Sequence, residues 1–319
     1  MNEIILPSGV SVATTIDKRQ RKPVDYPGSI KAIQYLQDQQ QGRGFLQPEA
    51  TVKIDTSDPV LVVYTGDEHI GNVDTRHDKI LEMDQKVLAM RNTFMVKVGD
   101  LCDQMFWVRE AGTAEALTED MQGEIAMNSL KQLDDAGRMI SYTSGNHDHF
   151  VRNFYPTYMG GFKFPLIGEN HGTVHLGVGK ENYDVLTGHK ISMGNSTMSN
   201  YLRGQKALEY WNPQADIVVM GHTHRKGVAQ HMHGADGQKK LRTFIEAGTM
   251  KPDEFFQRQQ GNVRAGNFDY CGVSTILYPD HREVLPFYDL DQGIEAYQAI
   301  TGMRTCLSAA TDRILRGHK

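Results

Sequence analysis

Apolar runs and helical patterns alternate through the central part of the chain. Val60–Tyr64 is a continuous apolar run of strand length, which is typical of a strand buried on both faces. Helical spacing follows over 79–90, and a second strand pattern covers Phe94–Val98. A long stretch with few helix breakers, 115–133, precedes a third strand pattern over 139–144. This alternation predicts an α/β fold whose strands carry polar residues at their carboxyl ends.

The second half of the chain is richer in turns and predicts antiparallel pairing. Apolar patterns at Thr173–Leu176 and Tyr183–Thr187 flank a glycine-containing loop, which is the signature of a hairpin. Further short strands are predicted at 216–220, 241–245, 272–278 and 283–287. The polar loop that carries His231 and His233 is predicted to face solvent.

Three segments follow from these patterns. Residues 1–57 form an N-terminal extension of unknown role, 58–290 form the main domain, and 291–319 form a helical tail. The extension carries a basic run at 18–22, a short helical pattern from residue 29 and a glutamine-rich stretch at 37–41. In the tail, apolar residues recur at heptad-like spacing, which fits a homodimer contact or packing on its own domain: Met303, Leu307, Ala310 and Ile314.

Composition narrows the class of protein. The 319 residues are 39% hydrophobic and 23% charged, with a formal net charge of −5, which argues against wrapping nucleic acid by bulk charge alone. Three scattered cysteines exclude a disulfide framework and favour a reducing compartment. The first residues lack the pattern of a secretory signal, and no apolar run approaches the roughly 20 residues that cross a bilayer. We expect a cytoplasmic protein that does not enter membranes.

Side chains that can bind metal follow five of the predicted strands. They are Asp67 and His69, Asp100, Asn146 and His147, His189, and His222 and His224. Carboxylate, amide and imidazole groups without thiolates suit Mn²⁺, Fe or Zn²⁺. Asp67 and His69 are separated by one residue, so in an extended turn both point to the same side. So many potential ligands exceed one tetrahedral site and fit two metal ions that share a bridging carboxylate.

In this order the motifs resemble those of the calcineurin-like metallophosphoesterases: Asp67-Glu68-His69, Gly99-Asp100 with Asp103, Gly145-Asn146-His147-Asp148, Gly188-His189 and Gly221-His222-Thr223-His224. The resemblance covers about residues 59 to 250. It implies an α/β (α+β) fold, a four-layer sandwich of two mixed β-sheets flanked by helices. It also implies a dinuclear metal site at the carboxyl ends of the strands, which hydrolyses phosphoesters with metal-activated water.

The resemblance also implies a role for each residue. It divides the ligands between two ions: Asp67, His69 and His224 for one, Asn146, His189 and His222 for the other, with Asp100 between both. His147 would face the substrate phosphate and protonate the leaving oxygen. Asp148 would orient His147 by accepting from its other ring nitrogen.

Individual residues of this set have other interpretations. Asp100 could cap a turn or a helix, and Asn146 could be a turn former. His189 competes with His149, His171 and His175 for the same role, but it directly follows an apolar strand and a glycine.

The details of two motifs bear on the substrate. Protein phosphatases of this superfamily have Asp-Arg-Gly in the second motif, whereas Asp103 is followed here by Gln104-Met105. The forms Asp67–Gly71 and Gly99–Asp103 instead look like those in nuclease subunits of double-strand-break repair complexes. Basic residues near the site could hold a phosphate backbone: Arg203, Lys206, Arg225, Lys226, Lys239, Lys240 and Arg242.

These observations predict a phosphodiesterase with a phosphodiester partner, and a DNA or RNA nuclease as its leading form. The expected cofactors are two divalent ions, Mn²⁺ first, with Fe or Zn²⁺ also suitable. An alternative is a small-molecule phosphoesterase that acts on nucleotides or cyclic nucleotides. A non-catalytic scaffold of the same fold is a third hypothesis, but such a scaffold is expected to have lost ligands, and every position is filled here.

Overall fold

The computed structural model divides into two compact units, Met1–Phe45 and Leu46–Lys319. It describes residues 3–5, 11–13, 46–104, 115–148, 161–168, 171–189, 200–234, 239–251, 270 and 272–317. In the first unit, strand β1 (Glu3–Ile5) pairs antiparallel with β2 (Ser11–Ala13). The basic run, the short helix and the glutamine-rich stretch predicted for this unit lie outside the described residues.

The second unit contains the strands and helices that build the predicted fold. In chain order they are β3 (Leu46–Gln47), β4 (Glu49–Ile54), β5 (Val60–Gly66), α1 (His77–Ala89), β6 (Thr93–Val98), α2 (Glu119–Asp135), β7 (Met139–Thr143), β8 (Leu166–Ile167), β9 (His171–Val178), β10 (Glu181–Gly188), α3 (Asn200–Tyr210), β11 (Ile217–Met220), β12 (Lys226–His233), β13 (Lys240–Ala247), β14 (Val273–Leu277), β15 (Val284–Phe287) and α4 (Leu290–Gly317).

These strands form two mixed sheets. A seven-stranded sheet has the order β15-β14-β5-β6-β7-β8-β3, and a six-stranded sheet has the order β12-β13-β11-β10-β9-β4. Strands β5, β6 and β7 run parallel, as do β10, β11 and β13, whereas β9 and β10 form the predicted antiparallel hairpin. Helices α1, α2 and α4 pack on the seven-stranded sheet and α3 packs on the six-stranded sheet. The predicted four-layer sandwich of two mixed sheets is confirmed.

Strand β5 shows why the apolar runs are continuous. Its side chains alternate between two cores: Leu61 and Val63 face the helices, whereas Val62 and Tyr64 face the other sheet. Burial of each such side chain stabilises the fold by about 1.5–3 kcal/mol. Among these four side chains, the one polar atom is the Tyr64 hydroxyl. It lies 3.0 Å from the Thr275 hydroxyl, so its hydrogen-bonding capacity is satisfied.

The boundary of the main unit differs from the predicted one. It lies between residues 45 and 46 rather than 57 and 58, because β4 pairs in parallel with β9 and completes the six-stranded sheet. The side chains of β4 alternate between exposed and half-buried positions. An edge strand with this weak apolar pattern is hard to recognise without its partner.

The tail is also part of the main unit. Helix α4 packs on β14 and β5, with Leu290 and Tyr297 buried. Gly293 lies so close to β14 that an added Cβ would be 2.1 Å from the Ser274 hydroxyl. Met303 is 60% exposed, and the later heptad positions carry side chains outside the described part of the structure.

Two other expectations meet the structure differently. The loop predicted around His231 and His233 is strand β12, which pairs antiparallel with β13 at the edge of the six-stranded sheet. Its side chains alternate weakly because that edge faces solvent. Among the helices that the structure describes, none has both the length and the apolar character needed to cross a bilayer.

Candidate metal centre

The carboxyl ends of five strands from both sheets meet at one edge of the sandwich. Asp67, Asp100 and Asn146 follow β5, β6 and β7, whereas His189 and His222 follow β10 and β11. Backbone hydrogen bonds continue past the strand ends within each sheet. The Asp67 N–H donates to the Gly99 carbonyl at 3.1 Å, and the Gly221 N–H donates to the Gly188 carbonyl at 3.1 Å. The site therefore lies on backbone that both sheets hold in place.

Asp67 joins the two sheets directly. Its carboxylate accepts from the backbone N–H of His222, with distances of 2.8 and 3.1 Å to the two oxygens. Its carbonyl accepts from the Met250 N–H at 3.0 Å and from the Thr249 hydroxyl at 2.8 Å. Because these donors follow β11 and β13, the first predicted ligand turn is tied to the last one.

Most of the predicted ligands have a backbone conformation that side chains rarely adopt. Left-handed φ angles occur at Asp67 (49°), His69 (48°), Asp100 (45°), His222 (71°) and His224 (55°). For histidine this region is uncommon, and strained positions cost of order 1–3 kcal/mol each. Such outliers persist where the surrounding structure holds them, and they cluster at functional sites.

The ligand atoms converge in two neighbouring groups. Asp67, His69 and His224 form one, and Asp100, His189 and His222 form the other, with atoms in each group within 4.8 Å of one another. A third group links them through His69, Asp100 and His147. The shortest approaches are 3.0 Å between the Nε2 atoms of His69 and His224 and 3.0 Å between His189 Nε2 and Asp100 Oδ2.

Polar contacts on the far side of two rings point their other nitrogens into the site. His69 Nδ1 lies 2.7 Å from Asp103 Oδ1, and His189 Nδ1 donates to the Val98 carbonyl at 3.4 Å. These contacts turn Nε2 of each ring toward the other predicted ligands, the arrangement that metal-binding histidines use. Asn146 Oδ1 is buried and has no hydrogen-bond partner among the described residues. The residues present fit two divalent ions, and their role as ligands stays a prediction.

The charges of the site also suit cations. Burial raises the pKa of Asp67 to about 8, an effect that His189 opposes and Asp100 reinforces. Burial opposes the ionisation of Asp100, but His189, His147 and His69 together outweigh it and hold the pKa of Asp100 well below its usual range. Crowded buried carboxylates of this kind gain stabilisation from positive charge.

The histidines divide into neutral and charged rings. Burial lowers the pKa of His69 to about 4 and that of His224 well below its usual range, so both rings are neutral near pH 7. For His189, burial disfavours the charged ring, but Asp100, Asp67 and Asp148 together outweigh it and raise the pKa to about 9. A ligand must give up this proton, so metal binding is expected to release protons.

Gly99 is required where it stands. With φ of +71°, it lies against His189 so closely that an added Cβ would be 1.8 Å from Nδ1 of the ring. Gly137 has a similar φ of +65°, but no atom lies within 4 Å of its added Cβ. A side chain at either glycine would therefore strain the left-handed backbone, but only a side chain at Gly99 would also clash with the His189 ring.

We predict that Gly99→Ala both destabilises the protein and weakens metal binding, because the methyl group displaces His189. Gly137→Ala should lower the free energy of unfolding by about 1–2 kcal/mol, the cost of a left-handed backbone for a residue with a Cβ, and should leave metal binding unchanged. Denaturant unfolding and metal content of both purified variants measure these effects. Equal metal content in the two variants would contradict the placement of His189 at the centre.

His147 and Asp148 are arranged differently from the prediction. The Asp148 carboxylate accepts from the Leu101 N–H at 2.9 Å, from the Gly145 N–H at 2.8 Å and from the Tyr142 hydroxyl. None of its hydrogen bonds among the described residues goes to His147, so the prediction that Asp148 orients this ring is wrong. Its buried carboxylate instead fixes the loop backbone on which His147 stands.

The orientation of His147 comes from other groups. Its Nδ1 donates to the Asp103 carbonyl, and its backbone N–H donates to Asp100 Oδ1 at 2.8 Å. Nε2 is 3.8 Å from Asp100 Oδ2, and the side chain is 14% exposed. The ring therefore reaches the ligand cluster while keeping contact with solvent.

Sequence reasoning missed Lys251 and gave Asp103 no role. The Lys251 ammonium group lies 2.8 Å from Asp103 Oδ1, and Asn72 donates to the other oxygen at 2.8 Å. Asp103 thus holds His69 while two donors hold Asp103. The position of Asp103, three residues after Asp100, could have indicated a role at the site. Lys251 lies 27 residues beyond His224, and nothing in the sequence connects it to the site.

The competing histidines lie elsewhere. His175 is paired with Asp184 at 2.7 Å, and His171 stacks on Trp211 with 4.2 Å between ring centroids. His149 is outside the described residues.

Two of the basic residues suggested for a phosphate backbone are occupied in the interior. Arg203 is buried against Glu246, and Arg242 is buried against Asp216 and two carbonyls. Arg225 and Lys226 are half-buried beside the last ligand turn, and Lys239 and Lys240 are exposed. The basic surface is therefore smaller than the sequence suggested.

A cavity of about 300 Å³ lies between α1 and the start of α4. Tyr270, Tyr288 and Lys226 are among the residues that line it, and the Lys226 ammonium group lies 4.9 Å above the Tyr288 ring. Met250 belongs both to the cavity wall and to the backbone that holds Asp67.

Comparison with known proteins adds to this picture. No family model matches the chain, and no curated protein matches it either. Its structural neighbours include calcineurin-like phosphoesterases. YfkN from Bacillus subtilis, described as calcineurin-like, is 12% identical over 54% of this chain and 65% of that one, with a TM-score of 0.30.

Two further solved structures are similar to the chain. A metallophosphoesterase from Sphaerobacter thermophilus is 14% identical over 76% of this chain and 95% of that one, with a TM-score of 0.34. A nuclease, MPE, from Pseudomonas putida is 13% identical over 71% and 87%, with a TM-score of 0.27. All these TM-scores are low, so these likenesses carry no argument about function.

Proposed function

We propose that this protein is a metal-dependent phosphodiesterase with a dinuclear centre. The observation that supports it is the convergence of Asp67, His69 and His224 beside Asp100, His189 and His222 at strand ends of both sheets. Asn146 adds a buried amide oxygen to the same edge. Imidazole, carboxylate and amide donors favour Mn²⁺, with Fe or Zn²⁺ as other suitable ions.

Each residue has a separate task in this proposal. When bound, two divalent ions supply Lewis-acid polarisation of the phosphoryl oxygens and lower the pKa of water. Asp100 lies between the two ligand groups, where one carboxylate serves both. His147 donates through Nδ1 to the Asp103 carbonyl, so Nε2 faces the centre, and the ring protonated on both nitrogens can transfer the Nε2 proton to the leaving oxygen.

A nuclease is the first specific form that we propose. It is supported by the motif forms at Asp67–Gly71 and Gly99–Asp103 and by the basic residues beside the last ligand pair, Arg225 and Lys226. A phosphodiester also carries less charge on the reacting phosphate than a monoester. Its sugar leaving group benefits from an acid such as His147.

A small-molecule phosphoesterase is the second form. The observation in its favour is the cavity of about 300 Å³, which is at the small end of the volume range of ligand pockets and has tyrosine and lysine in its wall. The burial of Arg203 and Arg242 also reduces the surface that could track a long backbone.

An activity panel with Mn²⁺ tests the proposal and separates its two forms. It contains a diester reporter, a monoester reporter, a cyclic dinucleotide and linear DNA. We expect the diester to be hydrolysed faster than the monoester, with cleavage of linear DNA. Absence of all four activities in protein that contains two equivalents of metal would contradict the proposal. Monoester cleavage without nuclease activity would favour the second form.

The charged pair Arg225 and Lys226 provides a further prediction. If they contact a phosphate backbone, the affinity for DNA falls steeply as the salt concentration rises. Replacing both by alanine should then reduce the slope of log affinity against log salt concentration by the amount expected for about two phosphate contacts. Binding measured over a series of salt concentrations gives the slope. Lys239→Ala with Lys240→Ala is the matched control, because both lysines are exposed at the amino end of β13, whereas the ligand turns follow the carboxyl ends of the strands. An unchanged slope in the first variant would contradict the contact.

A further inference from the structure

A buried ion pair lies directly behind the first ligand turn. The Lys97 ammonium group is 2.8 Å from Glu68 Oε1 and 3.1 Å from Oε2, and both side chains are 1% exposed. Lys97 is in the middle of the seven-stranded sheet, where a charged residue is unusual. Nothing in the proposed reaction uses this pair.

The pair connects the turn to two helices. Lys97 lies 3.3 Å from the Ser129 hydroxyl of α2 and 3.5 Å from the Asp84 carboxylate of α1, and Ser129 donates to Asp84 at 2.6 Å. The Thr65 hydroxyl donates to Glu68 Oε1 at 3.2 Å from the other side. The Glu68 side chain is thereby held from the strand and, through Lys97, from both helices.

Glu68 connects this network to the first ligand turn. Glu68 stands between Asp67 and His69, which have φ angles of 49° and 48°. Left-handed positions on both sides of Glu68 cost of order 1–3 kcal/mol each, so the turn relaxes unless its environment holds it. Asp67 and His69 point to the ligand cluster, whereas Glu68 is held on the opposite side by Lys97.

We propose that Glu68 and Lys97 form a positioning pair that keeps Asp67 and His69 in the geometry that binds metal. The inference rests on the proposed function, because it takes these two residues as ligands. A buried ion pair is weak evidence for stability by itself, since well-packed apolar residues often replace one without loss. We therefore assign the pair a role in fixing the geometry of the turn rather than in the overall stability of the protein.

Lys97→Met tests this with a readout that does not depend on activity. Supporting groups behind a metal ligand typically contribute 10–100-fold to metal affinity, so we expect Mn²⁺ affinity to fall by about 10–100-fold. Titration calorimetry of the metal-depleted protein measures this affinity, and a denaturant curve measures the stability. Glu68→Gln keeps the size and an acceptor oxygen, and we expect a smaller loss of the same kind.

Arg242→Met is the matched control. Arg242 is 3% exposed and forms a buried ion pair with Asp216 near the start of β13, away from the ligand turns. We expect this variant to lose stability and keep its Mn²⁺ affinity. If Lys97→Met does not fold, Glu68→Gln and Arg242→Met decide the question.

The outcomes separate this inference from the proposed function. Folded Lys97→Met or Glu68→Gln with unchanged Mn²⁺ affinity would overturn the positioning role alone. An equal loss of affinity in Arg242→Met would overturn it too, because the effect would then reflect general destabilisation. If the unsubstituted protein binds no Mn²⁺, the proposed function fails together with this inference.

Discussion

Asp100→Asn is expected to remove activity and to reduce bound metal from two equivalents to at most one. The substitution keeps the size of the side chain and an oxygen that can accept from the His147 N–H, now at 2.8 Å. Asparagine also tolerates the left-handed φ of 45°. What is lost is the negative charge between the two ligand groups, which in the proposed dinuclear centre would hold two cations close together. Elemental analysis and the diester assay measure both effects.

Asp134→Asn serves as the control for this substitution. Asp134 is a buried carboxylate that accepts from the Lys163 N–H at 3.0 Å, and it lies at the end of α2 outside the ligand cluster. We expect it to keep two equivalents of metal. An Asp100→Asn protein with two equivalents and near-normal turnover would show that Asp100 does not bridge.

His147→Ala is expected to slow diester hydrolysis by about 10²–10⁴-fold, the usual contribution of a general acid. Metal content should remain nearly intact, because His147 is held by the Asp103 carbonyl and stands at the accessible side of the cluster. The loss should shrink for substrates with good leaving groups, which need little protonation. Rates measured with leaving groups of different pKa give this dependence.

The metal content of the same variant decides between two roles. His147 lies in a group with His69 and Asp100 whose atoms are within 4.8 Å of one another. Loss of one equivalent of metal in His147→Ala would make it a ligand and overturn its assignment as an acid. His175→Ala is the control, since that histidine pairs with Asp184 away from the centre.

The succession of strands and helices along the chain, and the convergence of polar strand ends at one edge, could be predicted because both depend on local pattern. Continuous apolar runs such as Val60–Tyr64 reveal strands buried on both faces, and polar residues directly after them lie at one edge of a parallel sheet. Strands β4 and β12 were missed for the opposite reason. Each is an edge strand whose weak alternation depends on its neighbour.

The groups that support the ligands could not be predicted, because they meet only in three dimensions. Lys251 reaches Asp103 across 148 positions of the chain. Asp148 was placed by its neighbour in sequence, yet its oxygens are satisfied by the backbone of residues 101 and 145 and by Tyr142. Proximity along the chain is a poor guide where a buried carboxylate has several donors to choose from.

The left-handed ligand residues have a consequence for how this protein could change under selection. Glycine adopts such angles at no steric cost, so replacing His222 or His224 by glycine relieves strain in the backbone and at the same time removes a predicted ligand. A variant library screened for heat resistance alone would be drawn toward glycine at these positions. Directed evolution of this scaffold therefore has to select for bound metal in every round, or thermostable survivors will be enriched in empty centres.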